Sequence, residues 1–295
     1  MKLSTSASFD RPNALVAFAV WLAVVVVYTL TKAPTLSFWD CGEFIAASYI
    51  LGIPHPPGTP LYILIGRLFS LIPWSSDIAV RLNMLSVISS SFTALFGYLV
   101  LVRLLRACFQ VDKSTLTRVI VYAGGASGAL FSAFSLTNWN NSVETEVYGL
   151  SMMMLMAVVW LGLLYYERAG TNAGQRFMLL AFYVAFAGIG VHMTTFLALP
   201  AVALLFILKP GTPGRIWLGV GAFVLFELYL IFALSSRPNE IPYYIPVAIA
   251  LIVYLFYIFS YEKMPTIYLW VAGGLLMSVI PLAGHAVRAI SGSSG

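Results

Sequence analysis

Charged residues are scarce in this sequence. They make up 9% of its 295 residues, whereas hydrophobic residues make up 60%. Because a soluble domain carries about 25% charged residues, the composition excludes an ordinary soluble domain and predicts an all-α integral membrane protein. Nucleotide-binding loops, zinc-protease helices, paired-cysteine metal motifs and dinucleotide-binding glycine patterns are missing as well. The absence of a basic run or an RNA-binding motif argues against nucleic acid as a partner.

Cysteine is nearly absent too. The chain has two cysteines, Cys41 and Cys108, and the topology predicted below places them on opposite sides of the bilayer. A disulfide between them is therefore excluded, and the fold is not expected to depend on oxidation.

Long hydrophobic segments dominate what is present, and a spanning helix needs about 20 mostly apolar residues. We predict nine spans, at residues 13–30, 82–102, 118–136, 147–166, 177–190, 195–208, 216–234, 243–260 and 267–284. The first span follows Lys2 and Arg11 and is interpreted as a retained signal anchor. Segment 61–73 is apolar but short, so it is predicted to be an interfacial or re-entrant helix inside a long first outer loop, 31–81. Residues 1–290 are predicted to form one transmembrane domain and 291–295 a flexible tail.

The basic residues predict an orientation. With the N-terminus in the cytoplasm, eleven of the 16 lysines and arginines fall in inner loops and five in outer loops, as the positive-inside rule requires. Most acids and the histidines His55 and His192 then lie outside. We therefore expect a protein of the plasma (inner) membrane whose site faces the periplasm or the exterior.

The stretch 38–62 is the longest part of the N-terminal third that cannot lie in lipid. Asp40 and Glu43 are three residues apart, so on a helical turn their carboxylates point the same way. Four prolines around His55 restrict the backbone of the following loop. A carboxylate held in this way can serve as a general base. The alternative is an acid pair that only complements the positive end of a helix.

Two further outer segments carry candidate groups. Glu144 and Glu146 precede Tyr148 at the mouth of the fourth span, and Glu146 is the preferred site residue; the alternative for both acids is solvated headgroup contact. His192 follows two glycines at the outer end of the fifth span, where it can bind phosphate, accept a hydrogen bond or ligate a metal. The alternative for His192 is an ordinary polar residue satisfied by its neighbours.

The outer arginines are candidates for holding a lipid-linked phosphate, because a guanidinium matches phosphate geometry. They are Arg67, Arg81, Arg237 and Arg288. Each could instead be a headgroup anchor. Glu227 lies within the predicted span 216–234, where a buried acid is a functional candidate, and we leave its role unassigned.

These motifs resemble a known family. DCGE at 40–43 with LGIPHPPGTPL at 51–61 resembles the first outer loop of GT-C glycosyltransferases of the protein O-mannosyltransferase-like family. EVY at 146–148, GIGVH at 188–192 and HAVRA at 285–289 are similar to later motifs of that family, in the same order. The first motif is long and specific, whereas the others are short.

The resemblance implies a GT-C-like bundle of about nine helices and transfer of a mannose-like hexose from a polyprenyl-phosphate donor. The acceptor would be a hydroxyl, of protein Ser/Thr or of a lipid, and the anomeric centre would invert. Asp40 would be the catalytic base, and Glu43 would be a second catalytic residue beside it. His55, Glu146 and His192 would line the site, with Tyr148 beside them.

A metal site and two other functions are compatible with the same residues. Asp40, Glu43, Glu146 and His192 offer hard ligands, so a divalent metal is possible, but we expect no cofactor. Two alternatives to the transferase stay open. One is a transporter or flippase of a lipid-linked or anionic substrate that uses Glu227, and the other is a membrane scaffold.

Overall fold

The computed structural model describes residues 11–56, 58–109 and 114–197. The predicted spans 216–234, 243–260 and 267–284 lie outside the described residues, as does nearly all of 195–208. So do Glu227, Arg237, Arg288 and the predicted tail. The predicted single domain of residues 1–290 therefore stays a prediction.

The described part of the chain is entirely helical. Its helices are α1 (Arg11–Thr31), α2 (Cys41–Ile50), α3 (Pro60–Leu71), α4 (Ile78–Cys108), α5 (Thr115–Ala133), α6 (Leu136–Ser142), α7 (Val147–Glu167) and α8 (Asn172–Ile189), followed by a 3-10 turn, Met193–Leu197. No strand occurs among these residues, which agrees with the all-α prediction.

Three of these helices, α1, α4 and α7, are long and apolar enough to cross a membrane, and α5 with α6 forms a bent fourth candidate. The nine-span prediction is thus supported in the described part by three or four spans. Segment 177–190 is helical within α8, but α8 is not among the candidate membrane spans, and its first turns carry polar residues such as Gln175 and Arg176. Segment 61–73 forms the short apolar helix α3.

One predicted span boundary is wrong. Segment 118–136 was expected to be continuous, but α5 ends at Ala133 and α6 starts after a bend of 69°. Ser135 adopts extended backbone angles at the bend, and its hydroxyl donates to the Ser132 carbonyl at 2.8 Å. A serine that bonds the local backbone competes with helix continuation, so the chain turns there.

Helix α4 lies at the centre and packs against α1, α5 and α7. Its contact with α7 is close, because a Cβ at Gly149 would lie 2.7 Å from Ser90 Oγ and 3.2 Å from the Ser86 carbonyl oxygen. Small residues at a helix crossing allow this approach in membranes. The close crossing holds the start of α7 against the first turns of α4.

The helices alternate in direction, so the connecting segments gather at two ends. Residues 32–56, 72–77, 134–146 and 190–195 meet at one end, which we call the acidic end because it carries Asp40, Glu43 and Glu146. At the other end Arg103 Nη1 pairs with Glu167 Oε1 at 3.0 Å, and Arg106 bonds Tyr122. Cys41 and Cys108 lie at opposite ends of this helical bundle, and both are free thiols.

Candidate active site

The three sequence motifs converge on one apolar cluster. It contains Phe44 of α2, Tyr62 of α3, Val147 and Leu150 of α7, and Val191 after α8, all nearly inaccessible to solvent. Each of these residues lies within a few positions of a predicted site residue. Apolar packing therefore fixes the backbones that carry Asp40, His55, Glu146 and His192 relative to one another.

Asp40 occupies the N-cap position of α2, but its side chain makes no capping hydrogen bond. Trp39, just before it, has a positive φ of 62° and an indole that is 92% exposed. A left-handed conformation costs a non-glycine residue about 1 kcal/mol, so the turn into α2 is held against local preference. The Asp40 carboxylate therefore lies exposed at the start of α2 without a capping hydrogen bond.

Glu43 and His55 form an ion pair beside Asp40. Glu43 accepts hydrogen bonds from His55 N at 2.7 Å and from His55 Nδ1 at 2.6 Å. These bonds lower the pKa of Glu43, and the same carboxylate raises the pKa of His55. Side-chain ligand atoms of Asp40, Glu43 and His55 all lie within 4.8 Å of one another. The prediction that Asp40 and Glu43 point the same way is therefore confirmed.

The same three residues could hold a metal ion. Carboxylate oxygens and an imidazole nitrogen are a suitable donor set for divalent metals, although a metal would compete with Glu43 for His55 Nδ1. Whether a metal binds stays open, and our expectation of none stays a prediction.

Glu146 differs from these exposed groups because it is buried, with 6% of its surface exposed. It lies in an extended segment at the N-cap of α7, φ −140° and ψ 148°. The Cys41 thiol donates to Glu146 Oε1 at 3.8 Å. Burial, then the charges of Asp40 and Glu144, raises the pKa of Glu146 to about 7. Asp40 comes directly before Cys41, whose thiol contacts this carboxylate, so Asp40 and Glu146 lie in electrostatic range of each other.

The Cys41 thiol is a donor rather than a nucleophile. Its side chain is fully buried at the start of α2. Burial, together with the charges of Glu144 and Glu146, raises the pKa of Cys41 to about 12. Cys41 therefore stays protonated and joins the motif of Asp40 directly to Glu146.

His192 lies in a second polar group next to Tyr148. The two rings contact edge to face with centroids 5.2 Å apart. The Thr194 N–H donates to His192 Nδ1 at 3.2 Å, so Nδ1 is an acceptor and the proton of the neutral ring lies on Nε2. Burial lowers the pKa of His192. The residue therefore offers a neutral N–H donor to a ligand.

The segment of His192 is tied to the proline loop through Gly190. The Gly190 carbonyl accepts hydrogen bonds from Leu61 N at 2.7 Å and from Tyr62 N at 3.3 Å. A Cβ at Gly190 would lie 3.0 Å from the Leu61 Cβ, so a larger residue would push the two segments apart. This contact brings the motif at 188–192 to the start of α3.

Two predicted phosphate-binding arginines have local partners instead. Arg67 Nη1 donates to the Tyr49 carbonyl at 2.5 Å, and its guanidinium lies 5.3 Å from the Tyr49 ring centroid. Tyr49 lies in the last turn of α2, whereas Asp40 and Glu43 lie at its start, so Arg67 is held near the opposite end of that helix. Arg81 donates to the Ser75 and Ser70 carbonyls at 2.6 and 2.8 Å. Phosphate binding by either residue stays a prediction.

Sequence reasoning missed two buried polar residues that organise the site. Asn83 and Ser86 lie on the first turns of α4, 1% exposed, and both bond the segment before α7. The sequence did indicate that these residues have partners, because polar side chains inside an apolar span must be hydrogen-bonded. Their partners lie far away in sequence, so the pattern alone could not name them.

Fold and site together define a class: the described residues are all-α, with three or four helices long and apolar enough to span a membrane and a carboxylate-rich site where α2, α3, α4 and α7 meet. Residues 40–213 match the family model described as protein O-mannosyl-transferase TMEM260 N-terminal domain. The match starts at Asp40 and covers more than half of the chain. The chain belongs to this family, which confirms the resemblance seen in the motifs.

Curated relatives agree with the family. The chain is 35% identical over 144 residues to protein O-mannosyl-transferase TMEM260 of Mus musculus, which covers 48% of this chain and 18% of the relative. It is 26% identical over 160 residues to protein O-mannosyl-transferase tmem260 of Dictyostelium discoideum, which covers 54% of this chain and 18% of the relative. The chain thus matches less than a fifth of each relative's length. No solved structure matches it.

Proposed function

We propose that this chain carries the catalytic site of a membrane glycosyltransferase of the GT-C class. It transfers a mannose-like hexose from a polyprenyl-phosphate donor to a serine or threonine hydroxyl of a protein on the non-cytoplasmic face. The observation that carries the proposal is the uncapped Asp40 carboxylate, held beside Glu43 and His55 and within electrostatic range of the buried Glu146. The printed names of the relatives support the reaction class.

The chemistry follows from these groups. The acceptor oxygen attacks the anomeric carbon of the donor, the bond from that carbon to the phosphate oxygen breaks, and the polyprenyl phosphate leaves with the electron pair. Asp40 accepts the hydroxyl proton as general base. Attack opposite the leaving group inverts the anomeric centre. No cofactor is needed, because the phosphate ester itself carries the leaving group.

The neighbouring groups suit binding rather than proton removal. Glu43 is already engaged by His55, so the pair positions the loop and presents the imidazole ring to the donor. The Nε2–H of neutral His192 can donate to a phosphate or sugar oxygen. A charged Glu146 would repel the phosphate, whereas its raised pKa keeps much of it protonated near neutral pH.

The proposed orientation rests on the distribution of basic residues. Arg103, Arg106, Arg118, Arg168 and Arg176 all lie at the end opposite the acids, near helix ends of α4, α5, α7 and α8. Cytoplasmic loops carry such an excess of arginine and lysine. The acidic end therefore faces the periplasm or the exterior of a plasma membrane, where the headgroup of a polyprenyl phosphate is accessible.

The test is hexose transfer by the purified chain in liposomes that contain polyprenyl-phosphate mannose and a serine- and threonine-rich peptide. Mass spectrometry of the peptide should show a gain of one hexose that depends on the donor. Transfer should occur only with peptide on the face of the acidic end, which protease protection of an N-terminal tag identifies. Movement of labelled donor across the bilayer without a covalent product would contradict the proposal and favour a flippase.

A further inference from the structure

Asn83 lies buried on the first turns of α4 and contacts two separate loops. Its Nδ2 donates to the Ala33 carbonyl at 3.0 Å and to the Thr35 carbonyl at 3.1 Å. Its Oδ1 accepts from Thr145 Oγ1 at 2.6 Å. One side-chain amide, 1% exposed, thus joins the segment after α1 to the segment before α7.

The two segments carry the two acids of the site that influence each other. Asp40 follows Thr35 by five positions, and Glu146 comes directly after Thr145. The segments also share a backbone bond, in which Ala33 N donates to the Val143 carbonyl at 2.8 Å. Beyond this bond, the Asn83 amide is a direct side-chain link between them.

Ser86 adds a second contact from the same face of α4. Its hydroxyl accepts from Glu146 N at 3.2 Å and lies 3.3 Å from the Glu146 carbonyl oxygen. Ser86 therefore fixes the backbone of Glu146 to α4 but does not reach residues 33–35. Asn83 reaches that segment through Ala33 and Thr35, in addition to the contact that Cys41 makes with Glu146 Oε1.

A buried amide is costly unless its donors and acceptor are bonded. Both Nδ2 hydrogens and Oδ1 of Asn83 have partners, so the amide is satisfied only while both loops stay in place. A shorter or apolar side chain at this position would leave the two carbonyls and the Thr145 hydroxyl without this partner. The loops would then separate or admit water.

We propose that Asn83 is a positioning residue for hexose transfer, because it holds the loop of Asp40 and the segment of Glu146 at a fixed separation. The catalytic consequence rests on the function proposed above, whereas the connection between the two loops does not. Asn83 is 1% exposed and bonded to the two segments, so we assign it no contact with the reacting atoms. It acts through the placement of Asp40.

The first test measures the separation without any activity. Spin labels are attached to cysteines introduced at Phe38, which is 87% exposed, and at Asn140, in a Cys108→Ser background, while the buried Cys41 stays unlabelled. Asn83→Ala should broaden the distance distribution measured by dipolar electron paramagnetic resonance. Ser91→Ala is the matched control, because Ser91 is equally buried on α4 but bonds only Val87 of its own helix at 2.7 Å. An unchanged distribution in Asn83→Ala would overturn the proposal.

The second test separates positioning from general stability. Asn83→Ala should lower kcat of hexose transfer at least tenfold with KM changed less than threefold, and Ser91→Ala should leave both near the parent values. The pH–rate inflection of Glu146 should also move to lower pH, because the Asp40 charge that helps raise its pKa moves away. The other groups that influence Glu146 are Cys41, His55, Tyr62 and Glu144, and the substitution removes none of them.

The outcomes distinguish this proposal from the proposed function. If the parent transfers no hexose, the function fails, yet the distance measurement still tests Asn83. If Asn83→Ala broadens the distance distribution but keeps kcat and the pH profile of the parent, the positioning role is overturned and the function stands. Should Asn83→Ala not fold, Thr145→Val removes one of the three bonds with little change of shape, and it should give the same changes at smaller size.

Discussion

Replacement of Glu146 by glutamine should stabilise the protein in a pH-dependent way. Glu146 is 6% exposed, and its pKa is raised from 4.5 to about 7, first by burial and then by the charges of Asp40 and Glu144. Below pH 4.5 both the folded and the unfolded chain hold the proton. As the pH rises from 4.5 to 7, the unfolded chain releases the proton before the folded chain does, so the free energy of unfolding falls.

The size of this loss follows from the pKa difference. One pKa unit corresponds to about 1.4 kcal/mol, so the free energy of unfolding at pH 8 is lower by up to about 3 kcal/mol because of this one carboxylate. Glutamine has nearly the same shape and no charge to desolvate. Its amide oxygen can still accept the Cys41 hydrogen bond, so the substitution removes the penalty and keeps the contact.

The assay is thermal unfolding of the purified protein in detergent between pH 4.5 and 8.5. Glu146→Gln should raise the unfolding midpoint at pH 8 and match the parent near pH 4.5. Glu144→Gln is the control, since it removes only a lesser contribution and should give a smaller gain. A Glu146→Gln protein that is less stable than the parent at pH 8, or a difference that does not vary with pH, would refute the assignment of a buried, partly protonated carboxylate.

Two further predictions concern the ion pair and the helix crossing. Glu43→Gln removes the carboxylate that raises the pKa of His55, so NMR of labelled histidine should show His55 titrating at lower pH while His192 is unchanged. Because the pKa of His55 is raised in the folded state, the stability it contributes is present at pH values below 6.5 and disappears as the pH rises through its folded pKa. Glu43→Gln should weaken that dependence, since only the smaller effects of Asp40 and Glu146 then remain. Gly149→Ala should lower stability by about 1–3 kcal/mol, because its Cβ would meet Ser90 and the Ser86 backbone. Gly97→Ala is the matched control: a Cβ there meets nothing within 4 Å, and alanine in a helix is about 0.5–1 kcal/mol better than glycine.

The long helices could be predicted because their signal is local. Apolar runs of sufficient length specify α1, α4 and α7 without knowledge of any partner. The bend after Ala133 could not be predicted with the same ease, since a single serine in an apolar region is compatible with a continuous helix. The polar residues in the first turns of α8 likewise keep it from being a candidate membrane span, although the hydrophobic run after them is continuous.

The candidate site could be predicted in part. Alternating helix direction put Asp40, Glu146 and His192 at one end, and the structure agrees. The prediction did not include the extended backbone of Glu146, which buries its carboxylate beside Cys41. The prediction also missed that Arg67 and Arg81 donate hydrogen bonds to backbone carbonyls. Such partners are set by tertiary packing rather than by sequence spacing.

The most direct measurement compares hexose transfer by Asp40→Asn and Asp77→Asn in the reconstituted system. Asp77 lies at the same end and caps α4 by accepting from Ala79 N at 2.8 Å, a bond that asparagine preserves. The account predicts that Asp40→Asn lowers kcat at least about 100-fold with an unchanged unfolding midpoint, whereas Asp77→Asn keeps the activity of the parent. Transfer by Asp40→Asn at the rate of the parent would contradict the role of Asp40 as the base.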